Sequence, residues 1–386
     1  MASTQRVVVL GTTFGGGNWT PLSAVAVGLH QAGHAVFCFG DTAIAHEFGP
    51  AHIPVEAVPS EVALGTFMAR WRTGQHAGPA PFRAWADACL PMVRALVRDF
   101  GPQLLLSEIF TAELARLTKL ACGVPWCCVN PGYYFGPGSL RSPETDYVGR
   151  SGHYRQQFGE AMGDADLVLH GTDALFDPPP PSLPRHHVYV GPLWWERSKE
   201  VPPYLAAPGA PWVLVTVSSA PQAEEMTLVR IALHALAAHP VRVLLTLSDS
   251  HKLEEIGFVP PNTRIERFVS HAAVLTRSRL LLSHAGHGIV MKALYYGVPM
   301  VLVPWDRDQP GVAARAAALG AAEVVARQGL TERQLSAAID RVLGDPSYQE
   351  HAARIASRLR ARDAVATARV QIEEFLDSAE SRSIGA

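Results

Sequence analysis

Residues 280 to 309 run Leu280-Leu281-Leu282, then Ser283-His284-Ala285-Gly286-His287-Gly288-Ile289, then Val290-Met291-Lys292-Ala293-Leu294-Tyr295-Tyr296-Gly297-Val298-Pro299, and end Met300-Val301-Leu302-Val303-Pro304-Trp305-Asp306-Arg307-Asp308-Gln309. The leucines suit a buried strand, and Val290, Met291, Leu294 and Tyr295 recur at the spacing of one helical face. Between them the glycines let backbone N–H groups turn toward a ligand at a helix start, a place suited to phosphate. Gly297 terminates that helix, Pro299 prevents its continuation, and a second apolar strand follows. Strand–helix–strand units of this length belong to parallel α/β sheets.

Alone, the His284 to Gly288 string is as compatible with an ordinary strand-to-helix turn as with a ligand loop. Asp308-Gln309, just past the next strand, adds the second piece. Ligands of open parallel sheets sit outside the carboxyl ends of the strands, so both pieces point into one crevice. The first offers amides to phosphate, and the second a carboxylate and an amide suited to hydroxyls.

A chain of 386 residues is expected to hold two domains or more. Hydrophobic residues make up 48% and charged ones 18%, which excludes a disordered chain, and a net charge of -2 leaves no footprint for nucleic acid. Cys38, Cys89, Cys122, Cys127 and Cys128 form no CxxC pair and no zinc spacing, so they read as free thiols in a reducing cytoplasm. No metal site is expected. Neither a signal peptide nor an apolar run long enough to span a membrane is read from the sequence, and a cytoplasmic location is expected.

Upstream, Arg6 to Gly11 reads as a strand, Thr20-Pro21 as the start of a helix ending at Gly33, and Val36 to Phe39 as the next strand, a βαβ opening. Trp71 and Trp85 lie in an aromatic-rich stretch from about 60 to 100. Leu104 to Glu108 and Val124 to Val129 are further strands, the second followed by Tyr133, Tyr134 and Phe135 in a loop at its carboxyl end. Trp212 to Val217 restarts a second sheet, with the polar turn Ser218-Ser219 at its end, and a domain boundary is expected between Lys199 and Pro211.

These motifs resemble the UDP-glycosyltransferase superfamily, inverting enzymes of GT-B architecture that glycosylate small molecules, and among them the bacterial antibiotic and macrolide glycosyltransferases. The resemblance covers nearly the whole chain and is strongest from Val259 to Val325. It implies two Rossmann-like domains with parallel sheets facing across a cleft. Residues 1–200 would bind the acceptor, 201–365 the nucleotide donor, and 366–386 would be a helix packing back on the first domain. It further implies that Ser219, His284, Gly286, His287, Gly288 and Ile289 hold the diphosphate. Val269 would lie in the segment that reads the base, Lys292 at the ribose, and Asp308 and Gln309 at the sugar hydroxyls. The acceptor would lie among Trp19, Trp71, Trp85, Tyr133, Tyr134 and Phe135. The donor would be a dTDP- or UDP-sugar, used without metal or other cofactor. The partners would be that donor and a small natural-product acceptor, with no nucleic acid, and a homodimer is left open.

Three positions depart from the family pattern. A GHxxP motif carries the catalytic histidine, but here Gly17-Asn18-Trp19-Thr20-Pro21 places Asn18 there, and an amide is no general base near neutral pH. Glu108 then has two readings: a base with a raised pKa, or a carboxylate held at a helix start. Ile289 replaces a hydroxyl residue. Lys292 replaces a glutamate that accepts from ribose, which fits an unusual or more anionic donor, or a solvated lysine without a ligand role. Two alternatives to conventional glycosyl transfer follow: a different transfer or elimination on the same scaffold, or nucleotide binding without catalysis.

Overall fold

The structure is a computed structural model that describes residues 4–14, 17–72, 81–134, 159, 162–196, 200–219, 224–305 and 307–384, with the side chains of residues 71, 72 and 380–384 outside that set. Strands β1 (Arg6–Gly11), β2 (Ala35–Gly40), β3 (Val55–Ala57), β4 (Leu104–Glu108), β5 (Trp126–Asn130), β6 (Leu167–His170) and β7 (His187–Tyr189) form the first sheet. Its order is β3-β2-β1-β4-β5-β6-β7, and every pairing is parallel. A parallel strand covered on both faces needs apolar residues at consecutive positions. In β1, Val7 and Val9 enter one core layer and Val8 and Leu10 the other, the period of two expected of a strand.

Helices α1 (Trp19–Gln31), α2 (Thr42–Phe48), α3 (Leu64–Arg72), α4 (Pro81–Phe100) and α5 (Ala112–Cys122) belong to this sheet. With Thr20 as cap and Pro21 as first helical residue expected, helix α1 begins two residues earlier: Trp19 is its first residue and Asn18 precedes it. The indole explains the earlier start, since it is buried against Phe48 with ring centroids 4.9 Å apart. A methyl on Gly11 would meet that indole at 2.3 Å, so β1 must end in glycine for the helix to dock.

After the short helix α6 (Pro203–Ala206), the second sheet is built of β8 (Trp212–Thr216), β9 (Arg242–Thr246), β10 (Thr263–Glu266), β11 (Ser278–Ser283), β12 (Met300–Leu302) and β13 (Ala322–Val324). The order β10-β9-β8-β11-β12-β13 is again wholly parallel. Each sheet reverses direction of growth beside its first strand, between β1 and β4 and between β8 and β11, which makes those gaps the crevices in which ligands bind. The helices are α7 (Glu225–Leu236), α8 (His271–Leu275), α9 (His287–Tyr296), α10 (Gln309–Ala318), α11 (Glu332–Gly344), α12 (Pro346–Arg360) and α13 (Ala364–Ile384). The last of these returns to the first domain: Ala368, Ile372 and Leu376 share a core layer with Val7, Leu22 and Val25. Gly28 of α1 makes room for it, because a methyl there would fall 2.4 Å from Val365 Cγ1.

Candidate functional site

At the reversal point of the second sheet, β11 runs into the turn Ser283-His284-Ala285-Gly286 and then into α9. Ala285 adopts a left-handed conformation (φ 67°) and its N–H donates to Ser283 Oγ at 3.2 Å, which bends the chain sharply after the strand. Gly286 caps α9 with extended φ and ψ of -61° and 137°. A methyl there would sit 2.8 Å from His284 Nε2, so glycine allows the imidazole to lie over the helix start. His284 is buried, its Nδ1 has no hydrogen-bond partner among the described residues, and burial lowers its pKa to about 4. A neutral ring beside first-turn amides can donate or accept at a ligand without charge repulsion.

The neighbouring strand brings the second piece. Asp308 is the N-cap residue of α10, and its carbonyl accepts from Val312 N at 3.0 Å. Gln309 is buried and its Oε1 accepts from Trp305 N at 2.8 Å, so this side chain braces the loop. From β8, Ser218 is buried and its N–H donates to Glu225 Oε1, while Ser219 is exposed. Arg307 donates to Ser218 Oγ at 3.4 Å. Val269 is buried beside Ser270, whose hydroxyl accepts from Ala273 N at 3.3 Å and starts α8. His271 Nε2 lies 3.1 Å from Thr246 Oγ1.

Other expected donor residues are placed differently from one another. The His287 ring leaves the loop, packs edge-on against Phe176 with centroids 5.7 Å apart, and is buried, which lowers its pKa to about 3. Gly288 is exposed on α9 and Ile289 is half-buried. Lys292, one turn further along α9, pairs with Glu196 at 2.6 Å, with its ammonium 5.7 Å from the Trp194 ring. The carboxylate beside Lys292 is contributed by the segment after β7.

On the first sheet, Asn18 is half-buried and makes no side-chain capping bond to α1. Glu108 is wholly buried at the end of β4, where Oε2 accepts from Phe110 N at 2.8 Å and Oε1 from Thr111 N at 3.1 Å. Desolvation raises its pKa to about 8 against the opposing pull of those amides. With each oxygen accepting from a backbone amide and no exposed surface, this carboxyl braces the turn into α5. Trp85 is likewise a core residue: it is buried and donates through Nε1 to Val62 O at 2.8 Å. Trp19 belongs to the opposite core layer. Tyr133 is buried under the Arg315 guanidinium, 4.1 Å from its ring, and Tyr134 stands edge-on to His170 and His187. Phe135 and the side chain of Trp71 lie outside the described residues.

Sequence reasoning missed a group near this crevice. Phe110 meets Phe14 edge-on at 5.4 Å and stacks on Phe82 at 5.6 Å, bringing together the ends of β1 and β4 and the start of α4. Phe14 and Phe110 are only partly buried, so they leave apolar faces at the crevice. Nothing in their spacing of 96 residues signals the meeting. Asp41, at the end of β2, accepts from Thr12 Oγ1 at 2.6 Å and Thr13 N at 2.8 Å and so shapes the same loop.

Two Rossmann-like parallel sheets, a helix start with a buried imidazole and an Asp–Gln pair at adjacent strand ends define a protein of the GT-B class. Residues 230–372 match the family described as erythromycin biosynthesis protein CIII-like, C-terminal domain. Along most of its length the chain is similar to glycosyltransferases. It is 34% identical over 231 residues to 4'-demethylrebeccamycin synthase of Lentzea aerocolonigenes, covering 58% of this chain and 53% of that one. It is 27% identical over 381 residues to L-demethylnoviosyl transferase of Streptomyces niveus, covering 90% and 93% of the two chains. Most such matches span about half of the relatives' length or less, as for 4'-demethylrebeccamycin synthase at 53%. The solved glycotransferase of kitacinnamycin superposes with a TM-score of 0.76 at 19% identity, over 97% of this chain and all of that one, and shows the shared fold. Among the described residues no group of three His, Cys, Asp or Glu is placed to hold a metal ion, and no helix is long and apolar enough to cross a membrane.

Proposed function

We propose that this chain transfers a sugar from a nucleoside diphosphate donor, dTDP or UDP, to a small natural-product acceptor, with inversion and without a metal, in the cytoplasm. The observation that carries the reading is the buried His284 imidazole over the start of α9, with Asp308 and Gln309 at the end of the adjoining strand. The first can receive a diphosphate and the second the hydroxyls of the sugar attached to it. In the reaction the acceptor atom bonds to the anomeric carbon as the bond from that carbon to the diphosphate oxygen breaks, and the electron pair leaves with the nucleoside diphosphate. The acceptor proton has no base among the two expected catalytic residues: Asn18 is an amide, and both Glu108 oxygens are held by backbone amides. It is released to solvent, which selects an acceptor that is acidic on its own account, such as a phenol, carboxylate or thiol. The partly buried faces of Phe14 and Phe110 suit a flat aromatic one.

Ligands that bind only the folded state stabilise it by mass action. UDP or dTDP at about 100 times Kd should therefore add about 2.7 kcal/mol of stability, equally with Mg2+ and with EDTA. Absence of a shift with every nucleoside diphosphate would sink the reading. A shift without turnover on any phenolic, carboxylic or thiol acceptor would favour nucleotide binding without transfer.

A further inference from the structure

Five segments meet at the carboxyl ends of the second sheet: Ser218 after β8, Glu225 at the start of α7, His251 beyond β9, His284 after β11 and Arg307 after β12. Glu225 is buried, accepts from Ser218 N, and places Oε2 3.8 Å from His251 Nε2. His284, buried over the start of α9, lies within electrostatic reach of Glu225, Arg307 and His251. The buried His284 imidazole and one carboxyl group do not offset the charges of a diphosphate. The cation of this cluster is Arg307, whose Nη1 reaches Ser218 Oγ at 3.4 Å from the far side of the crevice.

The backbone beneath Arg307 is left-handed, with φ 64°, a conformation that glycine adopts at little cost and that an arginine adopts only when its surroundings hold it. A glycine would make the same turn and place nothing in the crevice. We propose that Arg307 binds the diphosphate of the donor and stabilises the charge that gathers on it as the sugar departs, a role that rests on the donor reading given above. Its fork of N–H donors matches phosphate oxygens, and Glu225 makes the role more demanding, because without the guanidinium the carboxyl would face the anion alone.

The test uses the full chain and compares a nucleoside diphosphate (UDP or dTDP, whichever binds) with the corresponding free nucleoside. Arg307→Gly preserves the turn and removes only the side chain. It is expected to weaken diphosphate binding by about 10- to 100-fold, the scale of a charged hydrogen bond, and to leave nucleoside binding unchanged. The salt dependence of diphosphate binding should fall with it. Arg307→Lys, a point charge without the fork, should fall between the two. If Arg307→Gly binds the diphosphate as tightly as the parent chain, or loses nucleoside and diphosphate binding alike, the role is overturned while the donor site stands. If the parent chain itself binds no nucleoside diphosphate, the donor reading fails and this role with it.

Discussion

Glu108 carries the sharpest consequence at the residue scale. Its carboxyl is raised from an ordinary value of 4.5 to about 8 by burial, so between those pH values the fold keeps a proton that the unfolded chain has released. Stability must fall as pH rises through that window. Glu108→Gln removes the titration, and its urea midpoint should change less between pH 5 and 8 than the parent's, by the equivalent of a few kcal/mol. Parallel curves would show that Glu108 is ionised in the fold throughout. The sequence supplied both of its readings and could not show its burial or the amides of Phe110 and Thr111 on its two oxygens. Trp85 repeats the point: an aromatic near glycines and prolines looks equally like a ligand wall and like core until Val62 O is found on its indole N–H. Lys292 was legible as a departure, but Glu196, 96 positions away, was not legible as its partner.

At the scale of the element, the strands and turns of the second sheet were plain in the chain. The run Leu280 to Leu282 is buried at every position, Gly297 does close α9 with φ 70°, and Met300–Leu302 follows as a parallel neighbour of β11. Periodicity and punctuation suffice there because burial on both faces leaves few residue choices. The start of α9 has a tighter requirement than its glycines alone suggest. Gly286 has a negative φ, so alanine fits the backbone, yet its methyl would meet His284 Nε2 at 2.8 Å. Gly286→Ala should therefore cost less than about 1 kcal/mol of stability, since no left-handed backbone is disturbed, while turning the imidazole and weakening nucleoside diphosphate binding about tenfold. Calorimetry of binding beside a urea melt checks both. Equal affinity would mean that the ring does not touch the ligand, and a large loss of stability would mean that the turn cannot yield.

Across the whole molecule, the two domains are joined by ion pairs that no local spacing announces. Arg315 of α10 holds the buried Asp177 at 3.0 Å, Arg358 of α12 holds Asp173 at 3.2 Å, and Lys292 holds Glu196. Near the first of these lies a cluster of uncharged imidazoles: His170 Nε2 is 3.0 Å from His187 Nδ1, and burial lowers the two pKa values from 6.5 to about 3 and about 4. His271, His284 and His287 are lowered to about 3, about 4 and about 3 by the same cause. Below pH 6.5 the unfolded chain takes up protons at these rings that the fold refuses, so stability declines as pH drops toward 4. Glu108 acts in the opposite sense above pH 4.5. Five rings outweigh one carboxyl while both titrate, so melting temperature against pH should peak at about 6 to 7 and fall on either side. A curve still rising from pH 7 to 8 would contradict that balance. One feature of the fold also sets an order in time. Because α13 supplies Ala368, Ile372 and Leu376 to the core of the first domain, the earliest-made sheet cannot complete its packing until the latest-made helix reaches it. At ribosomal rates of about 5 to 20 residues per second, the nascent first domain waits on the order of ten to forty seconds with that apolar seam uncovered, an interval in which chaperones and self-association compete for it.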